Sequence, residues 1–95
     1  MHKHINVIRE HVRLSENSLG QLAGISESAA SLIVRGRRNP HSPGGRRLQR
    51  ALLAQYRKKH PGELPARVGS RQLPGTLQSI AARIAIDNAV GIIAE

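Results

Sequence analysis

Apolar positions recur along the chain at helical spacing, and the polar residues between them mark where each helix begins and ends. Ile5, Ile8 and Val12 fall three and four apart, with Arg9, Glu10 and Arg13 on other faces. That pattern predicts an amphipathic helix over 3–13. Ser15 follows Leu14 as the N-cap of a second helix over 16–23, with Leu19 and Leu22 turned inward. Gly24 supplies the left-handed backbone conformation that ends it. Ile25 is expected to pack under the turn. Ser26 caps a third helix over 27–35, and Glu27 sits in its first turn, where the macrodipole favours an acid. Gly36 stops that helix.

A polar turn, RRNPH, comes next, and then Ser42-Pro43 gives a start signal with serine at the cap and proline at the first helical position. Gly44 and Gly45 weaken that first turn, so the main body of a fourth helix is expected from Arg46 to His60. Leu48, Leu52 and Tyr56, with Ala51, form its inward stripe, and the arginines take the other side. PGELPARVGSRQLPG carries three prolines and three glycines and reads as a linker over 61–75. Thr76 is the expected cap of a last helix over 77–94 with two apolar stripes. One holds Leu77, Ile80 and Ile84; the other holds Ile86, Val90 and Ile93. A single stripe can pack on the chain's own core, and a two-fold partner copy is the economical cover for the second. The expected organisation is all-α: a head over 1–60, the linker 61–75, and a helix over 76–95 that dimerises through Ile80, Ile84, Ile86, Val90 and Ile93.

Composition narrows the class. The 95 residues hold no Phe, Trp or Cys and one Tyr, so Leu, Ile, Val and Ala must supply the core. Without cysteine there is neither a disulfide framework nor a thiolate metal site. No apolar run nears 18 residues and no signal peptide is evident, which predicts a soluble protein; with the absence of Cys this fits a cytoplasmic chain, nucleoid-associated if its basic stretch binds nucleic acid. Fifteen Lys and Arg against six Asp and Glu leave a formal charge of +9. No acid occurs between Glu27 and Glu63, and that stretch contains nine of the fifteen cations. So lopsided a distribution points to a polyanion partner, nucleic acid ahead of a membrane surface. The preference for Arg over Lys suits planar recognition of phosphates and base edges. Two N-terminal histidines, His2 and His4, lack a third metal ligand, and the arm they sit on is either a minor-groove contact or a plain tail. No nucleophile–base pair or phosphate-cradling glycine loop suggests an enzyme, and no cofactor is expected.

LSENSLGQLAGISESAASLIVRGRRNP resembles the helix-turn-helix of the phage-repressor/Cro-like (XRE-like) family of DNA-binding proteins. Ser15 stands at the capping position and Leu19-Gly20 where the family has a Leu-Ala pair. Gly24-Ile25-Ser26 matches the turn, Ala30 and Ile33 the buried positions of the recognition helix, and Gly36-Arg37-Arg38-Asn39-Pro40 the basic exit. The resemblance covers about residues 3–58. It implies a lambda-repressor-like helical bundle in which Glu27, Ser28, Ser31 and Leu32 contact base edges. Ser15, Arg37, Arg38 and Asn39 would then hold phosphates. Gly20 departs from the usual Ala, Leu32 and Val34 are apolar where the family is mostly polar, and the third helix has no Gln or Asn to read adenine. Specificity then leans on DNA shape, on Arg35, or on the N-terminal arm. Arg46, Arg47 and Arg50 either touch the backbone too or form a solvated face, and Arg57-Lys58-Lys59 reads as a solvated helix end.

The function expected on this basis is sequence-specific binding of double-stranded operator DNA as a homodimer, acting as a repressor in phage, plasmid or autoregulated operon control. Two alternatives stand beside it. One is an antitoxin-type module whose last helix grips a toxin or other protein. The other is a nonspecific basic nucleic-acid-binding protein.

Overall fold

The computed structural model describes residues 3–94, with side chains described as far as Val90. The described residues form five helices and no strand: α1 (Lys3–His11), α2 (Glu16–Ala23), α3 (Glu27–Val34), α4 (Pro43–Lys59) and α5 (Leu73–Ala94). The fold is all-α. No helix among these residues is long and apolar enough to cross a membrane.

One core serves all five helices. Ile5 and Ile8 of α1, Leu19 of α2, Ala30, Ile33 and Val34 of α3, and Leu48, Leu52, Leu53 and Tyr56 of α4 bury together. Leu73, Leu77, Ile80, Ala81 and Ile84 of α5 join it, with Val68 from the segment before α5. α4 lies at the centre and touches each of the other helices, while α5 packs chiefly along α1. The apolar stripes expected on α1, α4 and the first half of α5 are therefore the inward faces. α2 differs in one position. Leu19 is buried but Leu22 is 51% exposed, because the inward arc of α2 runs through Leu19, Gly20 and Ala23 and leaves Leu22 outside it.

Helix ends depart from expectation where backbone closure overrides propensity. α1 stops at His11 because Arg13 takes a left-handed φ of 57°, and the Arg13 and Leu14 amides donate to the Glu10 and Arg9 carbonyls at 3.1 and 3.0 Å. This is a Schellman closure made without glycine. α3 ends at Val34, one residue early, through the equivalent closure at Gly36. α4 starts at Pro43, since the Ser42 hydroxyl accepts from the Gly45 amide at 3.1 Å in spite of the two glycines. Thr76 does not cap α5. The helix starts at Leu73, launched from Gly69, whose carbonyl accepts from the Gln72 and Leu73 amides, while the Gln72 side chain accepts from the Gly69 amide at 3.2 Å. Pro74 is tolerated because it falls in the first turn, where its missing amide has no partner to lose.

The segment read as a linker is laid against α4. Val68 is buried, Leu64 packs on the core, and Arg50 of α4 donates to the Val68 carbonyl at 3.1 Å. The Glu63 carboxylate ties the segment down at its other end. It accepts from the Tyr56 hydroxyl at 3.0 Å and lies 3.5 Å from His60 Nδ1 and 3.9 Å from the Arg83 guanidinium of α5. Burial and this bond push the Tyr56 phenol above its usual range.

The ends of α1 and α4 meet through two imidazoles. His11 Nε2 lies 2.8 Å from His60 Nε2, so one ring donates and the other accepts across that gap. The rings stack, and His60 also stacks on Tyr56 with centroids 4.4 Å apart. Lys59 closes the end of α1 by donating to the His11 carbonyl at 2.8 Å. Burial, then Lys59, then His60 lower the His11 pKa, against smaller opposing effects of Asp87 and Glu63.

Two predictions follow from packing and protonation. A Cβ added at Gly45 would fall on the Pro40 backbone, whereas one added at Gly75 meets nothing within 4 Å. Gly45→Ala should cost about 2 kcal/mol of unfolding free energy, and Gly75→Ala should gain up to about 1 kcal/mol, both read from denaturant midpoints. Because the folded His11 pKa is lowered, the unfolded chain binds a proton that the folded chain refuses. The His11 contribution is present above about pH 6.5 and is lost as pH falls below it. Melting temperature should drop on acidification through that point, and His11→Gln should flatten the drop.

Candidate nucleic-acid interface

The α2–turn–α3 unit is held by a close approach of two small residues. A Cβ on Gly20 would sit 3.2 Å from the Ala30 Cβ and 3.4 Å from the Ile25 carbonyl oxygen, so this crossing fits a glycine opposite an alanine with little to spare. Gly24, at φ 71°, ends α2, and the Ile25 amide reaches back to the Gly20 carbonyl at 3.0 Å. The Ser26 hydroxyl then accepts from the Ala29 amide at 3.1 Å and starts α3. Asn6 of α1 donates to the Val34 carbonyl at 3.0 Å, holding the far end of α3.

With Ala30, Ile33 and Val34 buried, the other face of α3 points outward. Glu27, Ser28, Ser31, Leu32 and Arg35, the five residues read from sequence as base contacts, line one shallow depression of about 440 Å³ together with Glu16 of α2. Ser31 and Leu32 are half-buried in it; Glu27, Ser28 and Arg35 are exposed at its rim. Glu16 and Glu27 each occupy the first turn of their helix, where the backbone dipole stabilises a carboxylate. Arg35 reaches across to Glu16 at 3.7 Å with its side chain two-thirds exposed, a weak surface pair. Any ligand that takes Arg35 displaces only that pair.

The residues read as phosphate contacts fall into three groups. Arg37 and Arg38 project from the exit of α3 on a rigid mount, since both their amides donate to the Leu32 carbonyl, at 2.8 and 3.2 Å. Their side chains, with those of Arg46 and Arg47 at the start of α4, are exposed, and none of the four takes part in an ion pair among the described residues. Asn39 uses its side-chain oxygen to accept from the His41 amide at 2.9 Å, which leaves its NH₂ for an outside acceptor. Ser15 is committed elsewhere. Its oxygen accepts from the Ser18 amide at 3.0 Å and its proton goes to the Ser18 hydroxyl at 2.9 Å, so Ser15 positions the start of α2 rather than offering a free donor.

Sequence reasoning passed over the residue that seats this exit turn. Gln49 is 2% exposed and donates to the Pro40 carbonyl at 2.8 Å, while Gly45, one turn before it, leaves room for Pro40 against α4. The signal was present: Gln49 is a polar residue next to Leu48 and one turn before Leu53, on the buried face of α4. A polar side chain there needs a fixed partner, and a proline carbonyl at the end of a turn is one.

The residues expected to dimerise split between two faces. Ile80 and Ile84 are each 4% exposed and pack in the chain's own core, so they are not available to a second copy. Ile86 and Val90 are 62% and 58% exposed. The Ile93 side chain, and His2 of the N-terminal arm, lie outside the described residues. No cluster of three or more His, Cys, Asp or Glu suited to a metal ion occurs among the described residues. Comparison with family models, with curated proteins and with solved structures finds no match to this chain.

Proposed function

We propose that the chain is a sequence-specific DNA-binding regulator of the helix-turn-helix kind, with α3 as the recognition helix. The observation that carries the reading is the convergence of Glu27, Ser28, Ser31, Leu32 and Arg35 on one outward surface, flanked by Arg37 and Arg38, which form no ion pair among the described residues. α3 enters a major groove about 12 Å wide. The slim Ser28 and Ser31 let the backbone come close to base edges, Glu27 accepts from a cytosine amino group, Leu32 meets a thymine methyl, and Arg35 turns from Glu16 to a guanine. Arg37, Arg38 and the Asn39 NH₂ hold one phosphate strand, with Arg46 and Arg47 beside them. The net charge of +9 brings the chain to the duplex before any base is read.

The exposed Ile86 and Val90 support a homodimer through the second half of α5, which places two copies of α3 on half-sites one helical turn apart. Occlusion of a promoter is the simplest outcome of such binding, and repression is the regulatory sense we assign. A protein partner on the same α5 face, as in an antitoxin-type module, is the competing use of these two residues.

Selection of duplexes from a random pool at physiological salt tests the reading directly. A palindromic site is expected; equal recovery of all sequences would reduce the protein to a nonspecific binder. Arg38→Ala should weaken binding to every sequence and lower the slope of log affinity against log salt by about one unit. Ile86→Glu together with Val90→Glu should convert a dimer to a monomer in sedimentation without shifting the helix content. A wild-type chain that sediments as a monomer would remove the dimer from this proposal.

A further inference from the structure

A second basic surface lies away from the α3 depression. The outer face of α4 and residues 66–69 form a groove of about 550 Å³ lined by Arg50, Arg57 and Arg67, with Leu53, Ala54 and Val68 as its apolar part. Leu53 and Val68 are buried, so the floor is core rather than rim. Arg50 and Arg57 stand seven residues apart on one helix, which puts them on the same face about 10.5 Å apart along the axis. Ala54 lies between them, and its small side chain leaves that space open.

Among the described residues no carboxylate pairs with this group. The helix neighbours three and four residues from Arg50 and Arg57 are Arg46, Arg47, Leu53, Ala54, His60 and Pro61, without a carboxylate among them. The ion pairs among the described residues involve Arg35, His60 and Arg83 as cations and none of these three arginines. Arg50 is nevertheless held in place: it donates to the Val68 carbonyl at 3.1 Å and to the Ser70 hydroxyl at 3.3 Å, and so spans the two walls. A like-charged group kept together over an apolar floor is complementary to a compact dianion that carries an apolar body. Guanidinium forks match phosphate oxygens in pairs, and three of them carry more charge than a single carboxylate would balance. A duplex backbone would use the guanidiniums but not the exposed Ala54 and the edges of Leu53 and Val68 beside them.

We propose that this groove binds a small phosphate ester, its phosphate held between Arg50, Arg57 and Arg67 and its apolar portion lying on Leu53, Ala54 and Val68. The site is independent of the α3 surface and stands whether or not the chain reads DNA. A ligand there bridges α4 to the segment from which α5 is launched at Gly69, so its occupancy stiffens the seat of α5.

Phenyl phosphate is the probe, titrated into the full chain at constant ionic strength and followed by backbone amide NMR shifts, with benzyl alcohol and potassium chloride as controls. One saturable site is expected, with the largest shifts at Arg50, Ala54, Arg57 and Arg67. Arg57→Gln combined with Arg67→Gln should weaken it by about tenfold or more. Both side chains reach the surface of the groove, and an unchanged melting temperature checks that the fold survives. Ala54→Leu, which fills the space and leaves every charge, should also abolish saturation. Shifts spread evenly over Arg37, Arg38, Arg46 and Arg47 would mean general screening of charge and would overturn the site. So would equal binding by the double variant. A double variant that loses salt slope on duplex DNA, in a protein that never saturates with phenyl phosphate, would assign these arginines to the DNA backbone instead.

Discussion

The seating of Pro40 on α4 is the contact on which the rest of this molecule depends. α3 is eight residues long and cannot hold its own orientation, so its outward face is only as well defined as its two ends. The Gly20–Ala30 approach fixes its middle, and the Asn6 bond to the Val34 carbonyl holds its last residue. Beyond Val34, the chain must turn and enter α4 without swinging the helix away. Gly45 makes that possible by leaving out a side chain that would strike the Pro40 backbone, and Gln49 secures the Pro40 carbonyl from inside the core. A steric gap and a buried hydrogen bond at one point thus set where Arg37 and Arg38 stand.

Charge is managed by position rather than by pairing. The two acids near the proposed interface sit in the first turns of α2 and α3, where the helix dipoles stabilise them, and only Glu16 is shared with an arginine. Among the described residues the cations from Arg37 to Arg57 form no ion pair with a carboxylate. Like charges arranged this way repel one another and cost stability, a cost that an anionic partner removes on binding. The opposite end of the molecule uses its charges differently. There Glu63 collects Tyr56, His60 and Arg83, and joins α4, the following segment and α5 at one carboxylate.

That joint also explains why α5 does not behave as a separate appendage. Its first half spends Leu77, Ile80 and Ile84 on α1 and the common core, and its start is built by the backbone of Gly69 and the side chain of Gln72. Among the described side chains of α5, Ile86 and Val90 of the later half are the large apolar ones left exposed. A helix whose first turns are buried and whose later turns are exposed can carry an interface without being free to move as a unit.

Local chemistry was enough to read most of the helices. Ser15, Ser26 and Ser42 are good caps wherever they occur, Gly24 ends a helix for reasons internal to its own backbone, and the stripes on α1 and α4 follow from residue spacing alone. The grouping of Glu27, Ser28, Ser31 and Leu32 came from the resemblance to the helix-turn-helix family, with Arg35 added as a further candidate, and helical period explains why these positions share one outward surface. What spacing could not supply was the identity of partners distant in the chain. Leu22 matches the period of its helix and is still exposed, because the arc facing the core is chosen by the helices that arrive later. Arg13 closes α1 in a conformation its residue type disfavours, held there by two backbone bonds. Residues 61–72 look like a linker by composition and become part of the wall because Arg50 and the core reach out to them. Gln49 matters only through a carbonyl nine residues away, and Ile80 and Ile84 are removed from any dimer surface only because the common core buries them. Short-range hydrogen bonding and periodicity are properties of the sequence itself, whereas the choice of which faces meet is a competition among all the apolar surfaces at once, and it is settled only in three dimensions.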